Sequence, residues 1–257
     1  MQTTSWYDYP QYYDLAFRDE TAREVRFLQG VYERYACRRV RSVLEPGCGT
    51  GRLVLAMARR GYQLWAFDNN PTALDYARRR LHRARQKARL FLADLARFRL
   101  PGKVDAAYCL MNTFRHLLTE RQALQHLQRV ADCVRPGGIY VLGFHLVPPD
   151  AEETCLERWT AARGRLKVHY TLRVIRCNRQ LRREWLRVCL LVRAGNRWHR
   201  LRHEFPLRLY TASQFQNLLR RVPAWQLCDT FDFWYELDEP VPLDDHLNDA
   251  VFVLRRV

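Results

Sequence analysis

Val43-Leu44-Glu45-Pro46-Gly47-Cys48-Gly49-Thr50-Gly51 decides the fold. An apolar run ends in a carboxylate and opens at once into three glycines at alternate positions. Residues 40–45 read as a short strand, and residues 52–60, directly after the glycines, read as a helix. Glycines let the backbone approach a ligand closely at a helix N-terminus, where N–H groups stand free. Dinucleotide sites favour G-x-G-x-x-G, and position 52 here is arginine. Glu45 sharpens the reading: a carboxylate two residues before the first glycine repels a pyrophosphate and attracts an ammonium.

Outward from this turn, strands and helices alternate. Residues 21–35 place Val25, Leu28, Val31 and Tyr32 at helical spacing. Residues 62–67 form a second strand, and Pro71 opens a helix that runs to about residue 84. Residues 89–93 and 104–110 read as strands, 120–134 as a helix, 136–138 as a turn and 139–146 as a strand. Such alternation predicts a parallel sheet with crossover helices. The pattern then changes. Residues 165–176, 181–193 and 198–207 read as three successive strands, with Asn178 and Ala194-Gly195-Asn196 where hairpin turns are needed. This is an antiparallel insertion. Residues 211–221 form a helix capped by Thr211 or Ser213, and 225–231 and 250–254 supply two last strands.

Two further carboxylates follow the first. Asp68 closes the second strand and can accept hydrogen bonds from both hydroxyls of a ribose. Asp94 closes the third and can accept from the exocyclic amine of adenine. The implied ligand has an ammonium, a ribose and an aminopurine; S-adenosylmethionine carries all three.

At this point the chain resembles a family. From Tyr7 to Val253 it is similar to the class I S-adenosylmethionine-dependent methyltransferases of the small-molecule branch, which carry an inserted antiparallel sheet. The likeness rests on Leu44-Glu45-Pro46-Gly47-Cys48-Gly49-Thr50-Gly51, Phe67-Asp68, Ala93-Asp94, Leu110-Met111-Asn112-Thr113 and Arg135-Pro136-Gly137-Gly138. It implies an α/β, Rossmann-like seven-stranded sheet with helices on both faces. Residues 1–146 would be an N-terminal lid and cofactor-binding core, 147–209 a cover over the acceptor site, and 210–257 the completion of the core sheet. It also implies S-adenosyl-L-methionine as cofactor. Glu45, Gly47, Gly49 and Gly51, with Cys48 and Arg52 in the same turn, would hold its methionine moiety. Asp68 and Asn69 would hold the ribose, and Asp94 and Leu95 would border the adenine. Leu110, Met111 and Asn112 would pass beside the sulfonium. Trp6-Tyr7-Asp8-Tyr9-Pro10-Gln11-Tyr12-Tyr13-Asp14-Leu15 looks like the lid of small-molecule members, with Tyr12, Tyr13 and Phe17 closing over the cofactor.

Methyl transfer is an in-line displacement, so the protein mainly aligns nucleophile, methyl and sulfur. A nitrogen or oxygen nucleophile must also lose a proton. His116 is the first candidate base and Asn112 a candidate for orienting the acceptor; the resemblance implies that Tyr210 with Arg208 borders the acceptor site. Met111-Asn112-Thr113-Phe114 lacks the Asn/Asp-Pro-Pro-aromatic turn of enzymes that methylate base amines. Cys109 lacks the flanking proline of a cytosine-C5 nucleophile. No acidic pair follows the fourth strand, so no metal is expected.

Charge sets the remaining expectations. The chain has 257 residues and a net charge of +16; Lys87, Lys103 and Lys167 are its only lysines, so 40 of the 43 basic residues are arginine. A codon bias explains the ratio but not the excess. An anionic partner does, and the expected acceptor is a small, anionic molecule methylated on N or O. Two alternatives stand beside it. One is an RNA methyltransferase using the arginines of 173–202 with Trp185 and Trp198; the other is a non-catalytic binding protein of the same fold. Alternation places many of those arginines on the solvent face, with Val168, Tyr170, Leu172, Leu186 and Val188 inward. The apolar runs are too short for a membrane span. The first ten residues lack a secretory pattern, and eight scattered cysteines without a C-x-x-C pair suit reduced, mostly buried thiols in the cytoplasm.

Overall fold

A computed structural model describes residues 5–257; residues 1–4, on which part of the leader reading falls, lie outside the described residues. After a short 3-10 turn at Trp6–Asp8, the chain forms α1 (Pro10–Phe17), α2 (Thr21–Tyr35), β1 (Ser42–Pro46), α3 (Arg52–Ala58), β2 (Gln63–Asp68), α4 (Pro71–Arg83), β3 (Arg89–Leu92) and β4 (Val104–Cys109). It continues through α5 (Glu120–Cys133), β5 (Val134–His145), β6 (Leu156–Arg163), β7 (Leu166–Asn178), β8 (Arg183–Ala194) and β9 (Arg197–Arg208). It ends with α6 (Ala212–Arg220), β10 (Trp225–Phe231) and β11 (Asp249–Arg256).

Seven strands make one sheet in the order β10-β11-β5-β4-β1-β2-β3. β1 to β5 pair parallel, while β11 runs antiparallel to both β5 and β10. The chain moves outward from β1 in one direction through β2 and β3, then crosses back to β4. Ligands of open α/β sheets bind at the carboxyl ends of strands where the order reverses, and here that point lies between β1 and β4.

Both faces of the sheet are buried, and alternate residues sort to opposite sides. On β5, Tyr140, Leu142 and Phe144 face a layer shared with α5 and α6. Ile139 and Val141 face a layer shared with α2, α3 and α4. The helices start where side chains satisfy free backbone N–H groups. Asn70 caps α4 with Pro71 at its first position, and Thr119–Gln122 and Thr211–Gln214 form capping boxes on α5 and α6. Of the two caps expected for α6, Thr211 is the one used.

Three expectations are corrected. Residues 136–138 are not a free turn before the strand: they lie inside β5. Its pairing with β4 jumps from Val104↔Val134 to Ala106↔Ile139, so the extra residues bulge. A Cβ at Gly138 would sit 2.3 Å from the Asp105 carbonyl oxygen, so the bulge needs glycine there. The insertion also holds a fourth strand, β6, giving a separate antiparallel sheet in the order β6-β7-β8-β9. The thiols are all unbonded, but only Cys48, Cys109 and Cys133 are buried, while Cys37 and Cys155 are exposed. Among the described residues no helix is long and apolar enough to cross a membrane.

α6 is bound to the sheet largely through Phe215, fully buried and 4.2 Å from Phe252 and 5.1 Å from Phe144 between ring centres. Phe215→Ala is expected to lower the unfolding free energy by about 3–5 kcal/mol, read from the midpoint of a urea titration.

Candidate active site

β1 delivers Glu45 to the switch point. Its side chain is buried and accepts a hydrogen bond from the Tyr108 hydroxyl at 2.7 Å. Burial pushes its carboxyl up to about 8, against the opposing pull of that hydroxyl and of the Arg52 charge. Among the described residues no basic side chain pairs with it. Arg52 is committed elsewhere: its guanidinium forks onto both oxygens of the fully buried Glu24 and onto Thr21 Oγ1. Burial lowers the Arg52 pKa, but the Glu24 carboxylate more than reverses this and the net shift is upward.

The glycine turn follows. Gly47, Gly49 and Gly51 all have left-handed backbones. A Cβ on Gly47 would meet Thr113 Cγ2 at 2.4 Å, and one on Gly51 would meet Ala77 Cβ at 2.8 Å. Those two let the turn pack on protein. Gly49 has nothing within 4 Å, so it faces open space. A side pocket of about 50 Å³ there is lined by Tyr13, Glu45, Gly47, Cys48, Gly49, Arg52, Leu110 and Met111. The Cys48 thiol is buried, and its N–H donates to the Phe67 carbonyl.

Asp68 ends β2 and braces the same turn. It accepts from the N–H of Gly49 at 2.8 Å and of Asn70 at 2.9 Å. Burial raises its pKa, opposed by those donors. Asp68 and Asn69 open onto the main cavity of about 930 Å³, as do Ala93 and Leu95. Asp94 does not. It is exposed and accepts from the Ala96 N–H at 2.8 Å, so its carboxylate closes the turn after β3.

The lid helix α1 covers the cavity with Tyr13 and Phe17. Tyr12, expected beside them, points the other way: it is buried, bonds His199 Nε2 at 3.0 Å, and offers its carbonyl to the Tyr170 hydroxyl at 2.7 Å. Asp14 pairs with Arg80 and fastens the lid to α4.

The acceptor-side candidates separate. Met111 and Asn112 take left-handed conformations in the turn after β4, and both line the cavity. Asn112 Oδ1 accepts from the His145 N–H at 2.9 Å and from Arg115 Nη1 at 3.3 Å, so it ties this turn to the end of β5. His116 also lines the cavity, 3.1 Å from the Tyr7 hydroxyl. Burial pulls it down to about 4, helped by Arg115 and His203, so the ring is neutral at pH 7. Tyr210 is not at the cavity. It is fully buried among Phe114, Phe144 and Phe215. Arg208, also away from the lining, donates to the Leu118 carbonyl.

One residue escaped the sequence reading. His145 lines the cavity, and its Nδ1 lies 2.5 Å from Asp249 Oδ1. The antiparallel register of β5 with β11 sets these two opposite each other. A carboxylate on Nδ1 leaves Nε2 of a neutral ring as the acceptor.

The charge of the cavity runs opposite to the expected anionic acceptor. Asp8, Asp68, Glu152, Glu153, Glu157 and Glu184 line it, against one arginine, Arg115, which is itself bonded to Glu184. The arginines of the insertion alternate away: inward positions hold Val168, Tyr170, Leu186 and Val188, all buried, with Leu172 half-buried. Among the described residues no group of three or more His, Cys, Asp or Glu is arranged to hold a metal ion.

Residues 43–138 match the family described as a methyltransferase domain. The chain is similar in structure to an S-adenosylmethionine-dependent methyltransferase from Clostridium acetobutylicum ATCC 824, with a TM-score of 0.78 at 15% identity over 96% of this chain and 97% of that one. It is also similar to the sugar N-methyltransferase KedS8 from Streptoalloteichus sp ATCC 53650, with a TM-score of 0.75 at 18% identity over 97% and 93%. These likenesses carry the fold. A glycine/sarcosine N-methyltransferase of Parasynechococcus marenigrum (strain WH8102) is 31% identical over 104 residues, 40% of this chain and 37% of that protein. The matched stretches span about half or less of the curated relatives.

Glu45 has a measurable cost. With a folded pKa near 8 and an ordinary carboxyl when unfolded, the folded chain binds the extra proton between those values. Stability therefore falls as pH rises across that window. Glu45→Gln keeps the Tyr108 hydrogen bond and removes the charge. It is expected to be the more stable protein by roughly 1–3 kcal/mol at pH 9 and to lose this slope in denaturation series from pH 5 to 9.

Proposed function

We propose that this chain, with a methyltransferase domain at residues 43–138 and the class I methyltransferase fold, transfers a methyl group from S-adenosylmethionine to an amine of a small acceptor. The observation that carries the reading is Glu45: a buried carboxylate without a basic partner, facing a glycine turn whose central glycine borders open space. An ammonium is the group that such a carboxylate lacks. Asp68 stands where it can accept from ribose hydroxyls while held by two backbone N–H groups. Ala93 and Leu95 supply an apolar edge for a purine, and Tyr13 and Phe17 shut out water from above. When bound, the cofactor supplies an electrophilic methyl on a sulfonium; the protein aligns the attacking atom with it.

The acceptor lobe favours an amine over a phosphate or carboxylate. Its carboxylates attract a protonated amine, and similarity to a sugar N-methyltransferase and to a glycine/sarcosine N-methyltransferase points the same way. An amine must shed its proton before attack. His145, oriented by Asp249, is the imidazole we assign to accept it; His116, held neutral and bonded to Tyr7, orients the acceptor. The eight unbonded thiols suit a reducing, cytoplasmic compartment.

Calorimetry tests the cofactor claim directly. Wild-type protein at pH 7 is expected to bind S-adenosylmethionine and S-adenosylhomocysteine with release of about one proton, seen as a dependence of the heat on the buffer's ionisation enthalpy. Glu45→Gln is expected to weaken both by at least a hundredfold. Unchanged affinity in that variant would remove the reading. For the acceptor, radiolabelled methyl is expected to reach amino sugars or amino acids in a metabolite panel, and not their deaminated counterparts.

A further inference from the structure

The antiparallel insertion has two faces of opposite character. Its inner face packs on the lid through Val168, Tyr170, Val188, Leu190 and Val192 and contributes Glu157 and Glu184 to the cavity. Among the described residues no helix or further strand packs on the outer face, where cross-strand register gathers Arg158, Lys167, Arg173, Arg193, Arg200 and Arg202, all exposed. Arg187 and Arg176 lie in the same rows. Glu204 is the only carboxylate described on this face, and it is shared between Arg187 and Arg202. Alternate residues of a strand stand about 7 Å apart and neighbouring strands about 4.8 Å, so the cations form a dense grid. Such a grid repels a second copy of itself.

Aromatic rings are interleaved with the cations. Trp198 is 53% exposed, with the near-parallel His169 ring 6.4 Å away and the Arg193 guanidinium 5.7 Å from its centre. At the far end Arg176 lies 4.8 Å above Trp185. An acidic protein needs the cations alone. A single-stranded nucleic acid uses both features, with phosphates on guanidiniums and bases on open rings.

We propose that the outer face of the β6–β9 sheet binds single-stranded nucleic acid, separately from the acceptor cavity behind it. The positive charge of the chain is then a feature of this surface and not of the methyl acceptor.

The test uses the full chain and a fluorescein-labelled ten-nucleotide oligouridylate, read by anisotropy, with poly-L-glutamate as the second probe. Binding at 50 mM salt is expected to weaken roughly 20- to 50-fold by 200 mM, as neutralising three or four phosphates requires. Arg173→Glu with Arg200→Glu is expected to weaken it at least tenfold. Trp198→Ala is expected to weaken it roughly tenfold with the salt dependence unchanged. Both variants keep the thermal shift given by S-adenosylmethionine, which shows that they fold. No binding at 50 mM salt overturns the proposal, as does binding that both variants retain. Equal affinity for poly-L-glutamate with no effect of Trp198→Ala overturns it too, leaving a general cationic surface. None of these outcomes touches the cofactor site.

Discussion

At the end of β1, the Glu45 carboxylate lies beneath the glycine turn with one hydroxyl, that of Tyr108, in place of a hydration shell. A carboxylate taken from water without a counter-charge costs several kcal/mol. Arg52 is close enough for its charge to be felt, yet Glu24 holds it in a two-pronged grip, so it cannot neutralise Glu45. The fold thus keeps at its centre an acid that burial holds mostly protonated at neutral pH, its pKa raised to about 8. Much else follows from that position. The turn after β4 and the lid both close around the same end of the sheet.

Parts of this were readable in the chain because they are local. The glycine spacing, the strand before it and the caps of the helices depend on residues a few positions apart. Residues 136–138 show where locality misleads: two glycines after a proline look like a free turn, while the Asp105 carbonyl pressing on Gly138 makes them a bulge within a strand. β6 escaped for the opposite reason. It is an edge strand with most of its side chains in solvent, so little apolar alternation marks it.

The side-chain assignments divide along the same line. Tyr12 and Tyr13 are neighbours in sequence but about 100° apart around α1, and only Tyr13 reaches the cavity. Tyr210 has the chemistry of a site residue and the surroundings of a core residue. Asp94 closes a turn with one of its carboxylate oxygens and lies outside the cavity lining. His145 needed a partner 104 positions away, and only the pairing of β5 with β11 supplies it. Net charge was equally blind to direction. It sums over the molecule, whereas strand parity turns Glu157 and Glu184 of the insertion inward and Arg158, Arg173, Arg193, Arg200 and Arg202 outward.

The insertion leaves the core and returns to it at nearly one point. Just past β5 the Val147 N–H donates to the Tyr210 carbonyl at 2.8 Å, two residues beyond β9. The whole excursion is therefore pinched shut at its base like a bag on a drawstring. The sheet it encloses is therefore tied to the core at that base and through the lid on which its inner face packs.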